Sequence, residues 1–355
     1  MSLTDLLASR AKAVIAYDGV EVARTFGDPE IEWATLDAAV ALVDTSYRRT
    51  IIVSGTERRS FLHGQISQSV LTLKTGESQP SLLLNAQGRV LAIVAVYEEG
   101  ETFEIVVEEA NLTPTFERLE QFLVADDVEF RIEEARDRFA VVGPDTPRLL
   151  AQLGVGLPAE VHSSASGTWF MRAARIAGLD VLLYGRADLR VPAIEVVADD
   201  VEPVWRALEA AGAKPAGADA FEIIRIEGGT PRYGVDVDAE RLALESRLEW
   251  AIHFRKGCYV GQEIVERTVS RGRVPRLLTL LATEKPVHVG DRVADTGEKD
   301  VVTSVAVSPR GGPLCLAYVM TELAEPGKKL TVRGVAGEVA ARVLAWPRTQ
   351  VYPGR

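Results

Sequence analysis

The first part of the chain alternates between short apolar runs and turns that contain glycine. The apolar or β-branched runs are residues 50–54, 81–84, 89–97 and 102–107. Their composition is typical of strands. The turns between the last three runs span only a few residues, which is too short for a crossover connection, so we expect an antiparallel meander.

Two helices are predicted in the same part of the chain, one among these strands and one after them. We predict helices over residues 57–63, ended by Gly64, and from Thr113 onward, where Pro114 suits a first helical position. In the middle third the pattern predicts strands and then helices. The strands are residues 139–143, 168–176 and 180–184, and the helices are 203–211 and 218–227.

The pattern of apolar and polar residues changes at about residue 276, where short strands follow one another. Residues 277–282, 300–307, 313–319, 329–332 and 337–344 are strand-like, with glycine, proline and charged turns between them. This spacing is typical of a small β-barrel or sandwich. We therefore predict an α+β protein of three domains. The domains are residues 1–130, residues 131–275, which carry the cysteine segment described below, and residues 276–355.

Composition and charge narrow the class of protein. The chain has 355 residues and a net charge of −11, which argues against general nucleic-acid binding and against an anionic membrane as partner. Its two cysteines exclude a disulfide framework or a four-cysteine metal site within one chain. We find no apolar stretch of membrane-spanning length and no secretory signal, so we expect a soluble, cytoplasmic protein.

One segment runs against the acidic background. Residues 253–276 hold six basic side chains, opposed by Glu263 and Glu266, a local balance of +4. The basic residues are Arg255, Lys256, Arg267, Arg271, Arg273 and Arg276. Such a concentration predicts a site for a small anion. The alternative is a basic turn that forms ion pairs with the acidic stretch of residues 236–249 just before it.

Inside this segment lies KGCYVGQE, residues 256–263, in which two glycines bracket a cysteine. Basic neighbours lower the pKa of a thiol, so Cys258 is a candidate reactive thiol. The alternative is a buried small hydrophobic residue, and Cys315, in an apolar strand, fits that role well. A glycine-rich stretch at residues 228–234 predicts either a turn near the ligand or a plain surface turn.

The octapeptide, with Arg267 and Arg271-Gly272 after it, resembles the signature of the YgfZ family of folate-binding proteins. These are relatives of the glycine-cleavage T-protein, an aminomethyltransferase. FLHGQ at residues 61–65 and RIEGGTP at residues 225–231 resemble further segments of the same superfamily, and Gly234-x-Asp236 continues the second. The resemblance extends over nearly the whole chain.

This resemblance implies three domains around a central hole that holds tetrahydrofolate, and a role in assembly or repair of iron–sulfur clusters. It implies Cys258 as the functional thiol with Lys256 beside it, and client iron–sulfur proteins as partners. Arginine and lysine suit the carboxylates of a folate tail, and a carboxylate suits the pterin. The folate contacts implied are Tyr259, Gln262, Glu263, Arg267, Arg271, Asp180 as pterin partner, Tyr47 and Phe221. No metal is expected to be held by this chain alone.

The chain departs from the T-protein pattern at one place. T-proteins carry an Asp-Asp pair shortly after an Asn-x-x-Gly turn, and here the turn at residues 85–88 is followed by Leu91-Ala92. Without a carboxylate to help move a proton, we expect the chain not to be an active aminomethyltransferase. Two alternatives remain open, a folate-dependent one-carbon transferase and a scaffold or tRNA-modification partner.

Overall fold

The computed structural model describes residues 3–134, 136–159, 161, 169–272, 274–294, 300–335 and 337–347. The chain divides into two compact units. The first is Met1–Phe61, Val70–Pro80 and Val94–Ile224, and the second is Leu62–Ser69, Ser81–Ile93 and Arg225–Arg355. Each unit is built from several separate stretches of sequence. The division into three domains at residues 130 and 275 stays a prediction.

Helices are short and spread along the described chain. The α-helices include Leu3–Arg10, Pro29–Ala38, Arg58–Gln65, Glu109–Glu120, Thr146–Gln152, Glu202–Ala210, Ala218–Glu227 and Gln262–Arg271, and short 3-10 helices lie at Glu249–Ala251 and Thr321–Leu323. The helix predicted over residues 218–227 is confirmed at both ends.

A six-stranded sheet forms the core of the first unit. Its strand order is Phe170–Ile176, Leu179–Arg186, Ala193–Ala198, Asp137–Val142, Ala41–Asp44 and Lys214–Ala216. The described pairs are antiparallel except the last, which is parallel. Phe139 on this sheet packs against Trp205 of helix Glu202–Ala210, with ring centroids 5.0 Å apart. Both side chains are fully buried, so this contact anchors the helix on the sheet.

A five-stranded sheet contains the predicted meander. Its order is Ser78–Leu84, Val90–Glu98, Phe103–Glu108, Arg48–Ser54 and Glu129–Ile132. The first three strands are neighbours in chain order, and Val90–Glu98 is antiparallel to Phe103–Glu108, as predicted. A separate two-stranded hairpin in the first unit consists of Ala13–Tyr17 and Val20–Thr25.

A six-stranded antiparallel sheet forms the C-terminal part of the second unit. Its order is Arg292–Val293, Lys329–Gly334, Gly337–Val343, Arg276–Thr283, Gly312–Met320 and Val302–Ser308. The five strands predicted from the pattern are confirmed to within about two residues, and Arg292–Val293 was not predicted. An isolated bridge joins Arg292 to Val301. A closed barrel stays a prediction.

Two helix boundaries predicted from the sequence are wrong. The helix expected to begin near Thr113 begins at Glu109, with Pro114 inside it. The backbone N–H of Glu109 donates to the carbonyl of Tyr47 at 2.7 Å, a long-range contact that no local pattern shows. The helix expected to stop before Gly64 continues through it to Gln65. The cost of one glycine, about 1 kcal/mol, does not end a helix that tertiary contacts support.

Candidate functional site

The cysteine segment leads into helix Gln262–Arg271, which the sequence analysis missed. Gly261 precedes this helix with φ +86°, and a Cβ there would lie 2.6 Å from the carbonyl oxygen of Asn85. Gly88 has φ +68°, and a Cβ on it would lie 2.8 Å from Cβ of Ile264. The octapeptide and the turn at residues 85–88 are therefore packed backbone to backbone, and each needs its glycine.

Lys256 is buried and directed at the last turn of helix Arg58–Gln65 and the residues that follow it. Its Nζ donates to the carbonyls of His63 at 2.5 Å, Ile66 at 2.6 Å and Gln68 at 2.8 Å. Burial lowers the pKa of Lys256 to about 7, and the three carbonyls oppose that change because they favour the ammonium. An ammonium has three donors, so this lysine fastens residues 63–68 to the octapeptide.

The two cysteines lie in opposite surroundings. Cys258 is exposed, whereas Cys315 is fully buried and its pKa is raised by burial to about 12.

The imidazole of His63 lies beside Gly257, the residue before Cys258, since a Cβ on Gly257 would be 3.6 Å from His63 Nε2. Burial lowers the pKa of His63, and the charges of Lys256 and His253 lower it further. An imidazole with a lowered pKa therefore lies next to the thiol segment, and residue spacing gave no reason to expect it.

The aromatic and amide side chains of the octapeptide are engaged within the second unit. Tyr259 is buried in a cluster with Leu84 and Val90, and burial raises its pKa. Gln262 accepts from the backbone N–H of Tyr259 at 3.3 Å and donates to Glu266 at 2.6 Å. Both side chains therefore shape the segment, and their part in binding folate stays a prediction.

Two basic side chains of the segment, Arg267 and Arg276, form ion pairs. Arg267 lies 2.5 Å from Glu263 one helical turn away, and Arg276 forms an ion pair with Asp300. Arg267 and Arg276 therefore pair with residues outside the acidic stretch of residues 236–249, which was the alternative prediction for the basic residues. Arg255 and Arg271 are exposed. Arg273 lies outside the described residues.

Three predicted folate contacts belong to the first unit, whereas the octapeptide belongs to the second. Asp180 is exposed and lies 3.1 Å from Arg175. Tyr47 is buried, with its ring centroid 4.4 Å from that of Tyr17, and Phe221 is buried on helix Ala218–Glu227. Their roles toward folate stay predictions.

A buried charge network in the first unit was not predicted from the sequence. The carboxylate of Glu195 is fully buried and accepts from Arg48 at 2.6 Å, Arg138 at 2.8 Å and Arg186 at 2.9 Å. Burial alone would raise the pKa of Glu195, but the three guanidinium groups hold it below its usual value. A glutamate in the middle of the apolar strand AIEVVA was the available signal.

A second buried carboxylate lies near this network. Glu104 accepts from the hydroxyl of Tyr184 at 2.7 Å, and burial raises the pKa of Glu104 to about 7. Arg138 lies over the Tyr184 ring, 4.9 Å from its centroid. Shifted groups of this kind cluster at functional sites and in structural networks alike.

The described residues lack two features that would change the kind of site. No group of three or more histidine, cysteine, aspartate or glutamate side chains there could hold a metal ion. No helix in the same ranges has the length and apolar character needed to cross a membrane.

The fold and the site define a mixed α/β protein that resembles a solved transferase. The structure of glycine cleavage system aminomethyltransferase T from Bartonella henselae matches with a TM-score of 0.85, covering 98% of this chain and 97% of that one. The sequences are 20% identical, so this likeness shows the fold.

Sequence comparisons show the family. The model for the GCVT N-terminal domain matches residues 4–256, most of the chain, so the chain belongs to that family. The aminomethyltransferase of Thermus thermophilus is 31% identical, over 86% of each chain. The aminomethyltransferase of Listeria welshimeri is 25% identical over 96% of this chain and 95% of its own. A putative chloroplastic transferase of Arabidopsis thaliana is 27% identical over 92% of this chain.

Proposed function

We propose that this protein binds tetrahydrofolate and acts in folate-dependent one-carbon chemistry or in a process derived from it. The observation that carries the proposal is the match to aminomethyltransferases along nearly the whole chain, at 31% identity in the case of the Thermus thermophilus enzyme. The packing of the octapeptide against the turn at residues 85–88 adds support, because the two motifs form one surface within the second unit.

Calorimetry with tetrahydrofolate tests the binding. We expect binding to the wild-type protein, tighter for a form with several glutamates in its tail, because exposed Arg271 attracts the added carboxylates. Arg271→Gln should remove that preference, whereas Arg342→Gln, at an exposed arginine of strand Gly337–Val343, should keep it. Absence of any binding signal at millimolar tetrahydrofolate would refute the proposal.

Aminomethyl transfer is the reaction that the names of the curated relatives support best. A turnover assay with an aminomethylated lipoyl carrier and tetrahydrofolate tests it directly. Formation of methylenetetrahydrofolate would establish the activity and would show that Leu91-Ala92 does not prevent it. Folate binding with no product would exclude this reaction and leave the binding proposal intact.

A second candidate function is the iron–sulfur cluster maintenance implied by the resemblance to the YgfZ family. It is favoured by exposed Cys258 in the octapeptide and by Leu91 and Ala92, which offer no carboxylate. A deletion strain complemented with variants tests it. We expect Cys258→Ser to fail and Cys315→Ser, at the buried cysteine, to restore the activity of iron–sulfur enzymes. Full restoration by Cys258→Ser would refute the thiol role.

A further inference from the structure

The hairpin of Ala13–Tyr17 and Val20–Thr25 presents an apolar strand at the surface of the first unit. Val14 is 43% exposed, Ile15 is 37% exposed, and Ala16 after them is exposed as well. Neighbouring side chains of a strand point to opposite faces, so three consecutive exposed residues mean that both faces are open here. A strand with one buried face would alternate between buried and exposed positions instead.

The outer edge of Ala13–Tyr17 offers backbone groups to a further strand. The two-stranded sheet contains no third strand among the residues that the structure describes. Its strands are joined by a two-residue turn, so the residues that flank the turn exchange both hydrogen bonds, and every second residue after them does the same. Ile15 therefore bonds to the neighbouring strand, and the N–H and C=O groups of Val14 and Ala16 point to the open edge.

Two other edge strands of the first unit carry charges that discourage pairing with another chain. Phe170–Ile176, at one edge of the six-stranded sheet, exposes two arginines. Glu129–Ile132, at one edge of the five-stranded sheet, exposes a glutamate and an arginine. Ala13–Tyr17 has the sequence AVIAY, without a charged residue, so its edge lacks this protection.

The charges at the two ends of this strand favour a second copy of the chain as the partner. Lys12 is exposed and lies just before the strand, whereas Asp18 lies just after it and exposed Glu21 follows the turn. An antiparallel pair centred on Ile15 places residue 12 of one copy opposite residue 18 of the other. The basic end of each strand then meets the acidic end of its partner, whereas a parallel pair in register would bring like charges together.

We propose that two copies of this chain pair antiparallel along Ala13–Tyr17, with the twofold axis at Ile15, and form a four-stranded sheet. In this register Val14 of one copy exchanges both hydrogen bonds with Ala16 of the other, which uses the outward groups of both residues. The contact has the self-complementary form that a closed dimer requires. This surface goes beyond the proposed folate function and does not depend on it.

Sedimentation equilibrium of the full chain tests the association. Because one five-residue strand from each copy buries a small area, we expect a dissociation constant on the order of 100 µM. The average mass should therefore rise from 38.6 kDa, that of one chain, toward that of two chains between about 10 µM and about 1 mM.

Variants at the strand test which surface associates. Ile15→Lys places two ammonium groups face to face at the twofold axis and should weaken association at least about tenfold. Ile31→Lys, at a 67% exposed isoleucine of helix Pro29–Ala38, is the matched control and should leave it unchanged. Ala16→Pro removes an outward N–H and keeps the hydrogen bonds within the hairpin, so it should also weaken association about tenfold. Each variant is checked for an unchanged melting temperature.

A disulfide tests the register. Ile15 would face its own copy in a non-hydrogen-bonded pair, where Cα atoms lie about 4.5 Å apart, within the reach of a disulfide. In a Cys258→Ser background, which removes the exposed native thiol, Ile15→Cys should cross-link to itself under mild oxidation. Glu21→Cys, exposed on the other strand of the hairpin, should not.

Three results would overturn the proposal. A mass that stays at one chain over the whole concentration range would exclude the dimer. Equal association of the wild type and Ile15→Lys would place the contact on another surface. Cross-linking of Glu21→Cys as readily as Ile15→Cys would exclude the antiparallel register.

Discussion

Replacing Lys256 with methionine tests whether this lysine fastens the thiol segment. Methionine keeps most of the aliphatic stem and removes the ammonium, so one buried and two partly buried carbonyls lose their donor. At about 1 kcal/mol for each unsatisfied carbonyl, the expected loss of stability is about 3 kcal/mol. In a domain of this size each kcal/mol lowers the melting temperature by about 2–4 °C, so we expect a fall of about 6–12 °C.

Calorimetric melting and hydrogen exchange measure this effect. Exchange should accelerate at the amide of His253, which donates to Ser67, and at that of Val260, which donates to Gly64. Exchange in strand Gly312–Met320 should stay unchanged below the melting transition. The matched control is Lys328→Met, because Lys328 is exposed and its loss should change the melting temperature by less than about 1 °C.

The same lysine predicts a pH dependence. Its pKa is about 7 in the folded chain and about 10.5 in the unfolded chain. Between these values the unfolded chain holds a proton that the folded chain has released, so wild-type stability relative to Lys256→Met should rise as the pH rises from 7 to 10. Equal melting temperatures for Lys256→Met and Lys328→Met, or a stability difference that falls over this pH range, would refute the reasoning.

Two further predictions concern the glycines and cysteines of the second unit. Gly261→Ala and Gly234→Ala both place a side chain at positive φ, but only the first brings Cβ against the backbone of Asn85, so it should cost about 2 kcal/mol more in melting experiments. Equal losses for the two variants would contradict that packing. Iodoacetamide should label Cys258 in the native protein and Cys315 only after unfolding, because burial protects Cys315 and raises its pKa to about 12. Peptide mass spectrometry measures both sites, and native labelling of Cys315 would contradict its burial.

Much of the fold was predictable where neighbouring residues decide it. The C-terminal strands were recovered because each is a short apolar run between turn residues, and helix Ala218–Glu227 because its apolar residues repeat at helical spacing. The start of helix Glu109–Glu120 was not predictable in this way, since the contact of Glu109 with Tyr47 joins residues far apart in sequence. Assembly of each unit from separate stretches is also non-local.

The candidate site divides in the same way. The contrast between exposed Cys258 and buried Cys315 followed from their neighbours in sequence. The hydrogen-bond and ion-pair partners of the basic residues did not follow from their neighbours in sequence. Lys256 was expected to act on the thiol, yet its Nζ bonds to backbone carbonyls of residues 63–68. The three arginines around Glu195 come from strands of two different sheets, which only the tertiary structure brings together.

The sequence by itself determined the chemistry available to this protein. It specified one accessible thiol segment, the glycines that allow its close packing, a local excess of basic residues and a family resemblance. The tertiary structure decided which groups those residues meet. A charged side chain has a strong energetic need for a partner when it is buried, but the partner can lie anywhere along the chain. The fold therefore turned Lys256 toward backbone carbonyls and gave Arg276 an ion pair with Asp300.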